Sequence, residues 1–505
     1  MKWVGFVAAV VMAFSGSAAS ARWYEVSSDH FVVYADDNEK DLTLFSEQLE
    51  RYHAAMDFIT TGEYPKPSPS NRVTVYVVKN EAEVRRLAGP DTSRWLQGFY
   101  VPRAGGSIAI IPRVDAARGD INESMLTLLH EYAHHFTISA SAMALPRWVS
   151  EGSAEFYASA KFLPDGGVSI GRPAGHRGLE LHYAKDVTAT DLLDPDSYEK
   201  RKSKAYDSFY GKSWLLYHYL VFNEGRRGQL SAYLTKIGEG VPAVDAAKQA
   251  FGDFGALEKE LDRYLNAKRM MTFNIKPSML PVGAINLRPL REGEAAMMDV
   301  RIRSKRGVDR ETAPAVLTDA RAVAARYPSD PAVLAALAEA EYDAGNDKEA
   351  IAAADKAIVA NPDEINAYVQ KGYAQFRLAE AAKDEAAAYR DVRKTFVALN
   401  KIENDHPLPL IYFYRTYAAL GKPPELAVQG LERAVELAPF DMGLRANLAR
   451  QYMRDKKYKE ARNLLAPVAY NPHGGSLASA AQKLIEKIDQ GQVTEAEAAE
   501  LDGEG

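Results

Sequence analysis

The stretch that decides the reading is His130-Glu131-Tyr132-Ala133-His134. On a helix the two histidines stand one turn apart on one face, and two imidazoles at that spacing can grip one zinc ion from one side. Glu131 stands beside them, where a carboxylate can take a proton from a water whose pKa the metal has lowered from 15.7 towards about 7. The flanks read as a helix, because Met125, Leu126, Leu129, Tyr132, Ala133 and Phe136 form one apolar stripe and both histidines fall off it. Asp120 with Glu123 three residues later reads as a capping box at its start. A pattern this short arises by chance in roughly one chain in 70 of this histidine content, so its neighbours matter. The adjacent His135 reads as a surface or packing histidine.

The nearest neighbour that matters is Trp148-Val149-Ser150-Glu151-Gly152-Ser153-Ala154-Glu155. A catalytic zinc site takes three protein ligands and keeps one open position, and Glu151 on a following helix is the carboxylate to complete the pair. Glu155, one turn further on the same face, can accept the outer N–H of a ligand histidine or lie in solvent. Further on, Tyr210 opens an apolar run from Gly211 to Leu220. Spacing alone favours a packed tyrosine there, with a phenol pointing into a cleft as the alternative. His176 and His182, in a segment from 161 to 205 with little periodicity, read as structural or surface residues.

These residues together resemble the gluzincin metallopeptidases of the MA clan. The likeness rests on H-E-x-x-H at 130–134, W-x-x-E-G-x-A at Trp148 to Ala154, and Y-x-K-[GS] at Tyr210 to Ser213. It covers residues 25 to 270 and is nearest to bacterial peptidase-MA-like domains that carry helical repeats behind them. The resemblance implies His130, His134 and Glu151 as zinc ligands, Glu131 as general base and Tyr210 as the donor to a tetrahedral oxyanion. It also implies that the edge of the preceding strand, about Gly106 to Ile111, lies along the substrate backbone. The G-x-M-E-N segment by which aminopeptidases of the group hold a free amine is absent, and Gly105-Gly106-Ser107-Ile108 stands in its place. That favours internal cleavage.

The rest of the chain frames this lobe. Its 505 residues, 26% charged and 47% hydrophobic, suffice for two to four globular domains. A net charge of −6 gives no ground for nucleic-acid binding. Lys2, the apolar run Trp3 to Phe14 and the small residues Ala19-Ser20-Ala21 read as a secretory signal, with a mature chain from Arg22 and no membrane span after cleavage. With no cysteine there are neither disulfides nor thiolate ligands, so a periplasmic or secreted protein is expected. Residues 22–115 read as an α+β lobe with a small mixed sheet, built on strands at 30–35 and 72–78, a helix at 41–59, a proline-stiffened loop at 64–70, and a hairpin of 98–101 with 107–112. Residues 116–270 form the helical zinc-binding lobe, and 271–312 a connector with an extended piece at 285–290 and a helix at 293–306.

From 313 to 487 a repeat is legible. Pro328 and Pro362 are 34 apart, as are Ala427 and Ala461, and Ala434 and Val468. Leu334, Leu337, Ala338, Ala350, Ala357 and Pro362 fall where tetratricopeptide repeats, which the region resembles, place large, small and breaker residues. The 77 residues from Ala350 to Ala427 are two periods plus nine, so the unit between them has lengthened helices. Such repeats stack into a solenoid whose surface can hold a protein partner. Tyr412, Tyr414 and Tyr417 read as packing residues before surface ones. The acidic tail is 488–505.

The expectation is therefore a secreted zinc endopeptidase acting on a peptide or protein. The alternatives are an inactive repeat scaffold that binds partners, and a hydrolase of a non-protein amide. Hydrolysis of a mixed peptide library with and without chelator separates them.

Overall fold

Three apolar runs, FVVYA, VTVYVV and IAIIP, build the centre of the N-terminal lobe. Runs this continuous suit strands covered on both faces. In the computed structural model they are β2 (Phe31–Ala35), β3 (Val73–Val78) and β5 (Ile108–Pro112), all parallel. β1 (Tyr24–Ser27) lies antiparallel against β2, and β4 (Phe99–Val101) antiparallel against β5. The model describes residues 22–60, 62, 66–90, 92–94, 96–113, 119–140, 144–184, 186–201, 207–421, 423–471 and 474–493. Residues 1–21, read above as a signal, residues 63–65 of the proline loop and residues 494–505 of the tail lie outside them.

The strand period of two separates the two cores. Phe31, Val33, Val73, Val75, Ala109 and Ile111 face α1 (Glu39–Thr60) and the metal-motif helix α3 (Glu123–Ala140). Val32, Tyr34, Tyr76, Val78, Ile108 and Ile110 face the opposite way, onto α2 (Glu81–Ala88). Helix α3 does not start with the expected capping box. Asn122 caps it by accepting from the Met125 N–H at 2.8 Å, while Asp120 pairs with Lys161 and Arg172. α1 braces α3 from below, through Tyr52 Oη donating to Leu129 O at 3.0 Å and His53 Nδ1 on Tyr132 Oη at 2.7 Å.

The short strand β6 (Gly119–Asp120) leads into α3, and α4 (Arg147–Ala158), β7 (Lys161–Phe162) and β8 (Val168–Ile170) come after it. Then follow α5 (Ala189–Leu193), α6 (Pro195–Glu199), α7 (Phe209–Phe222), α8 (Gln229–Gly238), α9 (Ala243–Phe251) and α10 (Phe254–Leu265). The segment read as a connector is woven into both sheets. β9 (Phe273–Ile275) pairs with β8, and β10 (Asn286–Pro289) pairs with β1 in the register Tyr24↔Pro289, giving the order β10-β1-β2-β3-β5-β4. α11 (Glu292–Ala296) and α12 (Met298–Arg306) then cover the second face of the large sheet, where the Arg301 guanidinium lies 4.4 Å from the Tyr34 ring. One expectation is overturned. The strand at 106–111 is not an edge, because β4 covers Ile108 to Ile110 in the same hairpin that the sequence predicts, and the edge is β4 itself.

The remaining helices stack in antiparallel succession: α13 (Ala313–Arg326), α14 (Pro331–Asp343), α15 (Asp347–Ala360), α16 (Ile365–Ala379), α17 (Glu385–Ile402), α18 (Pro407–Ala418), α19 (Glu425–Leu437), α20 (Met442–Arg454), α21 (Tyr458–Ala469) and α22 (Gly475–Gln490). The small residues at the repeat positions, Ala350, Ala357, Ala427, Ala434, Ala461 and Val468, are all buried, which is what lets the helix pairs approach. The extra residues of the long unit sit in α17, 18 residues against 14 in α15, in α16, and in the turns at 380–384 and 419–424. Tyr412 and Tyr414 are packed: the former stacks on Phe396 at 4.7 Å, and the latter donates to Gln451 at 2.7 Å. Tyr417 is half-buried under the Arg393 guanidinium. Among the described residues no helix is long and apolar enough to cross a membrane.

Candidate metal centre

Helices α3 and α4 meet so that His130, His134 and Glu151 converge. The two Nε2 atoms are 3.1 Å apart, and Glu151 Oε2 lies 3.5 Å from the first and 3.4 Å from the second. All three side chains are buried, and among the described residues theirs is the group of acidic and histidine side chains spaced to hold a metal ion. Donors at 2.0–2.2 Å around a tetrahedral ion stand about 3.3–3.6 Å from one another, so this triangle fits such an ion.

The outer nitrogens decide which tautomer is available. His130 Nδ1 is 3.3 Å from Glu155 Oε1, and His134 Nδ1 is 3.3 Å from Ser150 Oγ. The carboxylate on His130 calls for a proton on Nδ1 and leaves Nε2 as the lone-pair donor, while the Ser150 hydroxyl, which can accept from His134 Nδ1, is compatible with the same tautomer there. Of the two readings of Glu155, the buried one holds. Its carboxylate is completely covered and takes His176 Nε2 and Arg177 Nη2, each at 2.6 Å, besides His130. Burial opposes ionisation of Glu155, but its hydrogen bonds to His130 and His176 win and hold it well below the usual carboxylate range. In the metal-free protein burial likewise opposes protonation of His130, and the bonds to Glu151 and Glu155 outweigh it, raising the imidazole to about 10.

Two glycines let the elements come this close. A Cβ on Gly152 would stand 2.5 Å from Ser213 O, so α4 and α7 cross in contact only because that side chain is missing. This crossing carries Glu151 and Tyr210 into one site. At the start of α7 the Glu180 carboxylate accepts from the Gly211 N–H at 2.7 Å, a favourable charge at a helix N-terminus. Tyr210 is thereby set with its ring centroid 6.3 Å from that of His130. Burial first, and the Glu151 charge second, push its phenol up to about 12, against the pull of Arg147 and Arg177. Glu131 is half-buried on α3. His135 is a packing residue, 4.4 Å from the Phe440 ring and 2.5 Å from Tyr100 Oη. His182 is exposed.

Sequence reasoning missed His176, Arg177 and Ser150 as supports of the ligands. The first two lie in a segment without periodicity, and only their pairing with a carboxylate from another helix gives them a role. Arg147, four residues before Glu151, had a legible place on the ligand-bearing face of α4.

Residues 124–243, from α3 to the first residue of α9, match the family model described as "Protein of unknown function (DUF1570)". They contain every residue of the cluster. No curated protein matches the chain. Among solved structures it is similar to the crystal structure of a thermophilic TPR protein of Thermus thermophilus, with 19% identity over 34% of this chain and 91% of that one. The TM-score of 0.31 is too low for a conclusion.

Proposed function

We propose that this chain is an exported, zinc-dependent peptidase that hydrolyses internal peptide bonds. The observation that carries the reading is the triangle of His130 Nε2, His134 Nε2 and Glu151 Oε2, with edges of 3.1–3.5 Å and both outer histidine nitrogens engaged. Imidazole and carboxylate donors in a tetrahedral spacing suit zinc, though other divalent ions accept the same set. An ion held there supplies Lewis acidity to a water and to the substrate carbonyl.

The chain's own residues account for the remaining steps. Glu131 takes the proton of the attacking water and hands it to the leaving amine. Tyr210, its phenol at about 12, keeps its proton at neutral pH and donates it as a hydrogen bond to the oxygen that gains charge. Glu155 holds the His130 ring in the tautomer that presents Nε2. The β4 edge at Phe99–Val101 is the strand beside α3 along which an extended peptide can pair.

Glu131→Gln tests the reading. The variant should bind one equivalent of zinc, by elemental analysis of the purified protein, and lose cleavage of a mixed peptide library. Cleavage at the wild-type rate would remove Glu131 from the mechanism. A wild type that holds zinc and cleaves no peptide would leave the partner-binding scaffold and the hydrolase of a non-protein amide as the remaining readings.

A further inference from the structure

Helix α4 carries Arg147, Glu151 and Glu155 at four-residue steps, so the three side chains rise along one face. Glu151 belongs to the donor triangle, and Glu155 is shared by His130, His176 and Arg177. Arg147 is different. Among the described residues no carboxylate pairs with it. Its guanidinium lies 4.4 Å over the Phe209 ring and 5.4 Å from the Tyr198 ring, close enough to Tyr210 that its charge opposes the upward push on that phenol. The residue is exposed, so these aromatic contacts fix its position while its N–H edges reach solvent.

Charge accounting shows what this place lacks. Arg177, 5.0 Å over the face of the Tyr210 ring, pairs with Glu155 at 2.6 Å and with Glu180 at 3.7 Å. Arg147, by contrast, has no carboxylate of its own among the described residues, and it stands one helical turn from Glu151 and beside Tyr210. A planar guanidinium braced on an aromatic face is shaped for two parallel hydrogen bonds to a carboxylate.

We propose that Arg147 determines specificity by binding a carboxylate of the substrate next to the scissile bond, so that the site favours acidic peptides. The inference rests on the peptidase reading above and names its substrate class. The carboxylate is either an Asp or Glu side chain or the free C-terminus of a short peptide, and both present the same group to the arginine.

The test uses the zinc-loaded full-length protein and the variants Arg147→Met and Arg147→Lys, each checked for an unchanged melting temperature. Calorimetric titration compares benzylsuccinate, which can give one carboxylate to the metal and one to Arg147, with 3-phenylpropanehydroxamate, which gives the metal a group and carries no second charge. Arg147→Met should weaken benzylsuccinate by about tenfold or more, Arg147→Lys should recover part of that loss, and the hydroxamate should bind all three alike. Quenched fluorescent peptides then distinguish the sources. A preference for Glu over Gln beside the cleaved bond marks the side chain, and a preference for a free over an amidated end marks the terminus. Either should vanish in Arg147→Met. Equal benzylsuccinate affinity in wild type and Arg147→Met, or an acidic preference that survives the substitution, overturns the proposal. Wild type that binds both probes and cleaves no peptide refutes the peptidase reading alone, and the titration still decides the arginine's role. Wild type that binds neither probe refutes both.

Discussion

Asn71→Ala is the substitution that most directly probes how the helical repeats bear on the site. Asn71 is only 2% exposed and joins three parts of the chain. Its Oδ1 accepts from the Gly105 N–H at 2.9 Å, in the turn between β4 and β5, and its Nδ2 donates to Leu437 O at the end of α19, also at 2.9 Å. Ser70 beside it donates from N and Oγ to Glu403, and the Ala104 N–H donates to Asp441. Alanine leaves one N–H and one C=O without their partner, at about 1–3 kcal/mol each where water does not enter, so the loss is about 2–6 kcal/mol. At roughly 2–4 °C per kcal/mol for a sizeable domain, the melting temperature should fall by about 4–24 °C. Calorimetry of the full chain should show the lobe and the repeats unfolding together in wild type and separating, with the lobe first, in the variant. Asn71→Asp, which keeps the acceptor and loses the donor, should fall between the two. A melting temperature within about 1 °C of wild type, or a wild type that already melts in two steps, would refute the idea that the repeats clasp the lobe.

Three further outcomes follow from the geometry. Gly152→Ala places a methyl 2.5 Å from Ser213 O, so it should force α4 from α7, cost about 1–3 kcal/mol in chemical denaturation and weaken metal binding. Glu155→Gln should keep the fold by circular dichroism and lower zinc affinity about 10–100-fold in competition with a chromophoric chelator. His130, raised from 6.5 to about 10 in the metal-free protein, is protonated at neutral pH, so zinc must displace one proton there. Calorimetry in buffers of different ionisation enthalpy should therefore read about one proton released at pH 7, and affinity should rise with pH until about 10. The same raised value stabilises the metal-free protein fully below about 6.5 and is lost as pH rises through about 10, so chelated protein should melt lower at pH 10 than at pH 7.

The helix of His130 and His134 and the approach of Glu151 to them were legible because each depends on spacing within one or two helices. His130 and His134 share a face by the helical period, and Gly152 after Glu151 marks a close approach that only the structure identifies, against Ser213 O. The buried alanines of the repeats were legible for the same reason. What escaped depends on partners far along the chain. β9 and β10 lie in a stretch that reads as a connector, because nothing local announces pairing with β8 or with β1, more than 250 residues earlier in the latter case. The edge of the sheet was misplaced because pairing of β4 on β5 changes which strand is free, although the hairpin itself was read. Asn122 displaced Asp120 as the helix cap because Asp120 is drawn off by Lys161 and Arg172.

The repeat period also explains the form of the docking. Glu403 and Leu437 are 34 residues apart, as are His406 and Phe440, and each pair meets the lobe at a turn between successive repeats: Glu403 at Ser70, Leu437 at Asn71, His406 at Gly105 and Phe440 at His135. The earlier repeats use the same edge, through Asp330 on Arg291 and Asn366 on Lys305. An array that touches its neighbour along one edge must keep that edge in step. The lengthened unit does so, because its extra residues sit in α16, in α17 and in the turns at 380–384 and 419–424, rather than in the turns at 403–406 and 438–441. With Tyr412 and Tyr414 packed inside, those docked loops are committed to the chain's own lobe. The contact of His135 with Phe440 falls one residue from His134, so the repeats reach the helix of the candidate site itself.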